Sequence, residues 1–481
     1  MLTLICRVEQ THAQDVKHEY TIQLSGDEVI ETTALLGNQV LVSQVKEAVK
    51  SKYIPTRQYM LFDSVLSLQL DTTPKLPFRH KPKGGYSSDT AHYDFFYDYR
   101  KGNYSLISIT PHTFTVEHGA LPNKMYEPQF VGGPQTNFFL DRRINKERMV
   151  IVDDDTTRYY SVGRKKKRTK VFPLLFNKVT NGSSVIYVWK EERKQDQDVF
   201  AAIWDADGTL EEEFSFRIPD KTVHGLSVFQ VDEERLLFTG TYSNHASKEA
   251  SGLFTAVVES GSVLQLHTYS FSDLPHYFDY LDQYDKAEMK RKLARLKKHE
   301  KSTEIKTHAF AQTAVSVGNG YLLPIEFYSE LFVNEYGITR NGNTIAGAPQ
   351  SLKGYNYSHG LVLRLDEEGV LKHDYYFDLD LDQVALSKSP KLQTFVHGDT
   401  LFMGYASKNK FYFGNIKPLE FATLQPDSIS SINKPPIVRK EARFFYMPDG
   451  SILAYGYKTE RGMIGFRKKA DIYFIEKRKV R

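Results

Sequence analysis

A short β-hairpin pattern recurs along this chain and limits the folds that it can adopt. Residues 360–377 read GLVLRLDEEGVLKHDYYF, in which two apolar runs flank an acidic turn that ends at Gly369. Residues 200–216, FAAIWDADGTLEEEFSF, repeat the pattern around Asp207 and Gly208. An acidic residue in a turn accepts local backbone N–H groups, and glycine supplies the positive φ that such turns require. The pattern therefore predicts antiparallel strand pairs.

A second hairpin precedes each copy of this pattern, so the repeating unit is predicted to have four strands. Asn-Gly and Gly-Asp dipeptides between alternating apolar runs are strong hairpin signals. The preceding turns lie at Asn181, Asp232, Asn319 and Gly398, and the following turns at Asp207, Ser260, Asp366 and Lys417.

The two ends of the chain indicate how these units are arranged. The last unit, from Arg443 onward, has only three predicted strands, and residues 20–24 form a strand without a partner. Pairing them closes a ring and removes two open edges. The sequence therefore predicts an all-β fold, a β-propeller of about seven four-stranded blades, with eight as the alternative. A pair of β-sandwiches is the competing fold, although no linker rich in Pro, Gly or Ser divides the chain.

Composition agrees with a β-rich globular protein and indicates no charge-driven partner. The 481 residues include 30 Tyr and 31 Phe but two Trp and one Cys, a balance that favours strands. A net charge of +4 predicts no nucleic-acid partner. No run approaches the ~18 apolar residues of a transmembrane helix. We expect a monomer without a transmembrane segment.

Residues 1–13 are similar to the end of a secretory signal peptide. Residues 2–6 are apolar, and Thr11 and Ala13 are small residues at alternate positions, as before a signal-peptidase site. The basic region is missing, and the apolar run is shorter than the usual ~7–15 residues. We predict a periplasmic or secreted protein whose single domain spans residues 14–481. If residues 1–13 are not a signal remnant, the alternative is a cytoplasmic protein.

The pattern of apolar strand, Asp-rich turn with glycine and second apolar strand resembles uncharacterised secreted bacterial β-propeller proteins. The Gly-His and Trp-Asp signature of WD-repeat blades is absent, and the Gly-Gly pairs at residues 84–85 and 132–133 do not recur as kelch repeats require. The resemblance implies a propeller and export, and it carries over no site residues.

Two insertions interrupt the predicted ring. Residues 280–303 are predicted to be helical, with Asp282 near the start and Lys298 near the end, as the helix dipole favours. Met289 and Leu293, with Leu296, form a narrow apolar stripe that either packs on a blade or binds a partner. Residues 333–358 contain GITRNGNTIAGAPQ and are predicted to form a long loop, either a binding loop or a disordered one.

One group of polar and aromatic residues is predicted to converge on a single face. His224 and His308 precede the first strands of adjacent units, and the loops between second and third strands reach the same face. Those loops contribute Tyr242, Asn244, His245, Tyr328 and Glu330. Such groups could bind a sugar or a metal or act in acid–base chemistry, whereas the alternative for the two histidines is ordinary capping at blade junctions.

The predicted function is that of a non-catalytic extracytoplasmic propeller that binds a protein or glycan through its loop-bearing face. The alternative is a carbohydrate-active hydrolase or lyase with its site at the central opening of that face. No cofactor and no metal are expected, because residues 205–208, DADG, lack the later ligands of an EF-hand.

Overall fold

The structure is a computed structural model of the chain. It describes residues 18–24, 28–46, 56–77, 79–88, 90–121, 124–125, 128–132, 136–143, 146–153, 156–162, 170–180, 182–193, 196–244, 247, 249–299, 303–334, 350–379, 390–397, 400–407, 410–416, 427–428, 438–447, 449–460 and 470–479. The predicted signal remnant and the turns at Asn181, Gly398 and Lys417 lie outside these residues. Extracytoplasmic location therefore stays a prediction.

Antiparallel sheets, named blades I–VIII in chain order, account for nearly all of the described secondary structure. Strand β1 (His18–Leu24) belongs to blade VIII. Blade I contains β2 (Glu28–Leu36), β3 (Gln39–Lys46), β4 (Thr56–Phe62) and β5 (Leu68–Thr72). Blade II contains β6 (Lys81–Ser87), β7 (His92–Asp98), β8 (Asn103–Ile109) and β9 (Phe114–Ala120). Blade III contains β10 (Gln129–Gly132), β11 (Asn137–Arg143), β12 (Lys146–Val152) and β13 (Thr157–Val162).

The next blades repeat this arrangement. Blade IV contains β14 (Lys170–Lys178), β15 (Val185–Arg193), β16 (Asp196–Trp204) and β17 (Leu210–Phe216). Blade V contains β18 (Thr222–Gln230), β19 (Arg235–Ser243), β20 (Gly252–Glu259) and β21 (Ser262–Ser270). Blade VI contains β22 (His308–Ala311), the short β23 (Val315–Ser316), β24 (Tyr321–Asn334), β25 (Gln350–Leu365) and β26 (Leu371–Asp378).

The last two blades complete the set. Blade VII contains β27 (Gln393–His397), β28 (Thr400–Ser407), β29 (Lys410–Ile416) and β30 (Asp427–Ser428). Blade VIII contains β31 (Val438–Tyr446), β32 (Ser451–Glu460), β33 (Ala470–Lys479) and β1. The described residues thus form eight sheets, the larger of the two blade numbers considered above.

Hydrophobic clusters join each blade to the next and make the sheets a ring. The cluster between blades IV and V, for example, includes Val188, Phe216, Phe238 and Phe254. Equivalent clusters lie between blades I and II, II and III, III and IV, V and VI, and VI and VII. A stacked Phe395–Tyr446 ring pair links blades VII and VIII. This arrangement confirms the predicted β-propeller.

The N-terminal strand closes the ring, as predicted from the unpaired ends of the chain. β1 pairs antiparallel with β33, so it is the outermost strand of blade VIII. Blade I then packs on blade VIII: the Tyr20 and Phe62 ring centroids lie 4.6 Å apart, and the Thr33 and Tyr473 hydroxyls hydrogen-bond at 2.6 Å. The closure therefore joins residues that are more than 400 positions apart.

We predict that deleting residues 1–25 makes the protein associate and lowers its unfolding midpoint. The deletion removes β1 and leaves the unpaired N–H and C=O groups of β33 exposed to other chains. Size-exclusion chromatography with light scattering and thermal unfolding measure both effects. A control deletion of residues 2–13 leaves β1 in place and should match the full chain. A monomeric 1–25 deletion with an unchanged midpoint would show that closure through β1 is not required.

The turns have the chemistry that the repeated pattern predicts. In blade VI the Val370 backbone N–H donates to Asp366 Oδ1 at 2.7 Å, and Gly369 has a φ of +76°. In blade IV the Thr209 N–H donates to Asp205 Oδ1 at 2.7 Å, so Asp205 rather than Asp207 is the acceptor there. A glycine with positive φ again completes the turn.

The antiparallel order within each blade separates two faces of the ring. Connections between blades and connections from second to third strands lie on one face, which we call the loop-bearing face. The hairpin turns between first and second strands and between third and fourth strands lie on the opposite face. Reciprocal backbone bonds between Ala250 and Thr307, at 2.8 and 2.9 Å, join two such connections of blades V and VI.

The insertion between blades V and VI contains the predicted helix, α1 (Gln283–Lys298). Asp282 Oδ1 caps its first turn by accepting the Asp285 N–H at 2.8 Å. Met289 and Leu293 pack on the hydrophobic cluster between blades V and VI, although no helix residue is fully buried. The preceding residues Tyr277 and Phe278 are buried in that cluster and anchor the insertion.

The second insertion differs from its prediction. Residues 333–334 extend β24 and residues 350–358 begin β25, so paired strands replace the loop in the part of this segment that the structure describes. Backbone pairing across the hairpin holds these residues extended, with Glu330 opposite Tyr355. The alternation of tyrosines at 355 and 357 is the strand signal that the Asn-, Gly- and Pro-rich composition concealed. Residues 335–349 lie outside the described part of the chain.

We predict that replacing residues 282–302 with a short Gly/Ser linker leaves the propeller folded. The helix contributes only half-buried side chains to the core, and a surface linker costs little closure entropy. As a contrast, Tyr277→Ala should lower the free energy of unfolding by about 3–5 kcal/mol, because it empties a buried site. Urea unfolding measures both variants. Loss of soluble, cooperatively folding protein on linker replacement would show that α1 belongs to the core.

Among the described residues, no helix is long and apolar enough to cross a membrane.

Candidate functional site

The predicted site residues of blade V form a cluster around Tyr242 on the loop-bearing face. The Lys221 ammonium lies 5.0 Å from the centroid of the Tyr242 ring, within the range of a cation–π contact. The same ammonium donates a hydrogen bond to Asn244 Oδ1. The Asn244 backbone N–H is 3.4 Å from Glu304 Oε1, and Lys306 lies 3.9 Å from the same carboxylate. Cation, amide and carboxylate therefore surround one tyrosine.

Tyr242 itself is not available as a base or as a stacking platform. Burial, followed by the negative charges of Asp273 and Glu304, raises the pKa of its hydroxyl to about 12. The residue is 3% exposed. The phenol therefore stays protonated at neutral pH, and its ring has no open face for a ligand.

The predicted residues of blade VI form a second cluster around Tyr328. The His308 ring stacks on Tyr328 with a centroid distance of 5.2 Å and an interplanar angle of 15°. Tyr355 and Tyr357 approach the same ring at 5.7 and 5.3 Å. The Lys391 ammonium lies 5.5 Å above the Tyr357 ring. Tyr328 is 4% exposed, so this cluster packs blade VI internally.

The remaining predicted residues lie near these clusters or outside the described part. His224 lies at a β-bulge in β18, where the register shifts between Val223 and Gly225. Glu330 is half-buried in β24, and His245 is outside the described residues. The predicted placement in loops is therefore corrected for His224, Tyr242, His308, Tyr328 and Glu330, which all lie within strands. The strands are longer than the sequence pattern indicated, because their ends pair across bulges.

Exposed apolar residues of this face cluster on its two protrusions, and Tyr99 in the β7–β8 connection of blade II is exposed apart from them. Phe332 and Leu352 pair across the long β24–β25 hairpin, and they are 52% and 45% exposed. Tyr284, on the first turn of α1, is 71% exposed. The Tyr280 ring stacks on His359 of β25 at 4.2 Å, so the insertion starts against the base of the hairpin. Burial lowers the pKa of His359 to about 4, which keeps that ring neutral.

Glu326 in β24 has a fully buried carboxyl group, and its contacts are structural. Gln312 Nε2 donates to Oε1 at 2.6 Å, and the Lys391 backbone N–H donates to Oε2 at 2.7 Å. The Leu392 N–H approaches Oε1 at 3.3 Å. Burial raises the pKa of Glu326 to about 7, against the opposing effect of these donors. The carboxyl group therefore ties blade VI to the start of blade VII and has no access to a substrate.

We predict that Glu326 makes stability fall as the pH rises from about 4.5 to about 7. The native carboxyl group keeps its proton to a higher pH than the unfolded chain does, so ionisation in this window favours unfolding. The effect is on the order of 3 kcal/mol. Urea unfolding at about pH 5 and about pH 8 should show a smaller pH dependence for Glu326→Gln than for the wild type. Glu330→Gln, on the same strand, is the matched control. Equal pH dependence in all three proteins would contradict the assignment.

Within the described part of the chain, no group of three or more His, Cys, Asp or Glu residues could hold a metal ion. The two clusters contain cations, an amide and tyrosines, of which Tyr242, Tyr328 and Tyr357 are buried. Their chemistry is that of packed blade junctions, with exposed apolar groups only at the edges.

Several residues of the two clusters were missed by sequence reasoning. Lys221 and Glu304 each contact Asn244, from 23 and 60 positions away, and no local pattern signals those contacts. Lys391 reaches Tyr357 from the next blade. Tyr355 and Tyr357 had a local signal, the period-two alternation of a strand.

No model of a protein family matches the sequence, and no curated protein matches it. Similar solved structures include one from a study of two prolyl endopeptidases, at 10% identity and a TM-score of 0.42, covering 90% of this chain and 53% of that chain. The polysaccharide lyase Uly1 is 10% identical, covering 84% of this chain and 91% of that chain, with a TM-score of 0.41. The β-propeller domain of the Trilobed protease from Pyrococcus furiosus is 9% identical, covering 85% and 99%, with a TM-score of 0.35.

This chain spans about half the length of the prolyl endopeptidase that it matches. Because identity and TM-score are low for all of these structures, their activities are not transferred to this chain. The assignment to the β-propellers rests on the strand order and on the ring of hydrophobic clusters.

Proposed function

We propose that this β-propeller is a non-catalytic binding protein that takes a protein partner on the loop-bearing face of blade VI. The observation that carries the proposal is the exposed Phe332–Leu352 pair at the protruding part of the β24–β25 hairpin. Exposed apolar groups that cluster on one protrusion are typical of protein-binding surfaces.

The helix insertion extends this surface. Tyr280 stacks on His359 at the base of the hairpin, and Tyr284 lies four residues further along the chain, in the first turn of α1. Lys353 is exposed beside Leu352, and Glu330 precedes Phe332 by two residues. Aromatic and aliphatic groups with charges at their margin match the composition of protein interfaces, which have an apolar centre and a polar rim.

A glycan ligand on this face is less well supported. Sugar binding uses open aromatic faces together with convergent polar groups, and the rings of Tyr242, Tyr328 and Tyr357 are each buried. The same burial argues against the hydrolase or lyase alternative at these tyrosines. Tyr242 and Tyr328 are also unsuitable for a binding test. Truncating either side chain would lower the free energy of unfolding by about 3–5 kcal/mol, so a loss of binding could not be told from a loss of folding.

The double variant Phe332→Ser with Leu352→Ser tests the proposal at exposed positions, where substitutions cost within about 0.5 kcal/mol. Val65→Ser with Leu264→Ser is the matched control, because Val65 and Leu264 are 48% and 53% exposed and lie towards the opposite face. Wild type and both variants are immobilised and used to capture proteins from an extract of the source cells, with quantitative mass spectrometry.

We expect the wild type and the control variant to capture the same partner proteins. The Phe332/Leu352 variant should capture about tenfold less of them, or lower still. Equal capture by all three proteins would remove this surface from consideration. A glycan array run in parallel distinguishes the remaining option: wild-type glycan binding that is lost only in the Phe332/Leu352 variant would favour a glycan partner instead.

A further inference from the structure

Two adjoining cavities follow the axis-facing strands of blades II, III and IV. The first strands of neighbouring blades contact one another, so β6, β10 and β14 line the central channel of the ring. The cavities have volumes of about 490 Å³ and about 750 Å³ and share Gly85, Phe130 and Phe176. Volumes of this size are typical of small-ligand sites, roughly 300–1,000 Å³.

The two cavities form one elongated site with a lysine in each part. Lys83 lines the smaller cavity and Lys178 the larger one. The wall follows the backbone from Lys83 in β6 to Ser88, the first residue after that strand, which corresponds to about 17 Å at ~3.3 Å per residue. A ligand that fills both cavities is therefore an extended chain and not a compact metabolite.

The lining has donors and hydroxyl groups but no carboxylate. Neither lysine makes an ion pair with a described acidic residue, and no Asp or Glu is among the residues that line either cavity. Gln129 and Asn177 contribute amides, and Thr180 contributes a hydroxyl. The ligand that complements such a wall carries spaced negative charges and many hydroxyl groups.

Backbone geometry argues against a peptide that adds as a further strand. Pro82 in β6 and Pro173 in β14 lack the N–H that a neighbouring strand would need. Both strands also shift register near these prolines, between Pro82 and Gly84 and between Pro173 and Leu175. Prolines and bulges on edge strands prevent strand addition. Recognition in this channel is therefore left to side chains.

The aromatic side chains fit a sugar chain. Phe130 and Phe176 are shared by both cavities, so they lie at the middle of the elongated site. Phe130 is buried and closes the wall, whereas the half-buried Phe176 and Tyr86 present part of their rings to the site. Gly84 faces open space, since a Cβ atom there would meet nothing within 4 Å. Apolar rings between hydroxyl- and amide-bearing ends offer contact to the C–H faces of sugar rings and hydrogen bonds to their hydroxyls.

We propose that the central channel along blades II–IV binds an acidic oligosaccharide, with its carboxylates at Lys83 and Lys178 and its hydroxyls at Gln129, Asn177 and Thr180. The site is independent of the partner surface on blade VI. It is a binding site without hydrolysis, because the wall has no pair of carboxyl groups to act as acid and base.

Isothermal titration calorimetry of the full chain tests this with a panel of hexuronate oligosaccharides and with neutral oligosaccharides of equal length. We expect the acidic sugars to bind and the neutral ones to bind about tenfold or more weakly. Added salt should weaken acidic-sugar binding, because the charge pairs are screened.

The variant Lys83→Gln with Lys178→Gln should weaken acidic-sugar binding by about tenfold or more. Lys290→Gln with Lys297→Gln on α1 removes the same charge from exposed positions and should change it by less than about twofold. Circular dichroism confirms that both variants are folded. The proposal is overturned if no acidic sugar binds, if neutral sugars bind equally, or if both variants lose binding alike. Lysine-dependent binding of poly-glutamate with the same affinity would assign the channel to acidic peptides instead.

Discussion

The pairing of β1 with β33 is the constraint on which the rest of the ring depends. A four-stranded blade buries its faces against two neighbours, so an open ring would expose the faces of two blades and an unpaired strand edge together. Here the first strand completes the last blade, and Tyr20 packs on Phe62 of blade I. The pairing that closes the ring therefore also completes the hydrophobic core between blades VIII and I. Every other blade junction lies between two neighbouring junctions that hold it in place.

Polar groups buried between blades fix the register of these junctions. Burial alone would raise the pKa of Asp94, but His92, Arg57 and Tyr59 together lower it to about 2, and the carboxylate ties blade II to blade I. Glu326 ties blade VI to the backbone at the start of blade VII. Removing one partner from such a group leaves a buried polar atom unsatisfied, which costs more than the bond contributes. These side chains therefore specify which blade packs on which, while clusters of aliphatic and aromatic residues fill the junctions.

On the loop-bearing face, the residues that pack the blades are different from the residues that are left for a partner. Tyr242 packs in the junction of blades IV and V, and Tyr328 and Tyr357 pack in the junction of blades VI and VII. The groups left for a partner are those that no blade covers, such as the hairpin pair and the start of the helix. The channel differs because the first strands of blades have no inner neighbour. Their axis-facing side chains stay accessible. A lysine without an acidic partner is therefore tolerated there, because its charge is not buried.

The sequence by itself determined the repeated hairpin, the helix and the closure of the ring, because turn chemistry, strand alternation and helix capping act over a few residues. It also placed His308 and Tyr328 on one blade, since both followed from the repeat. It could not decide that Tyr242 and Tyr328 are buried, or that residues 350–358 pair as a strand. Nor could it bring Lys221 and Glu304 to Asn244, or Lys83 and Lys178 to one channel. Those contacts join blades far apart in the chain, and their geometry exists only after the blades have packed around a common axis.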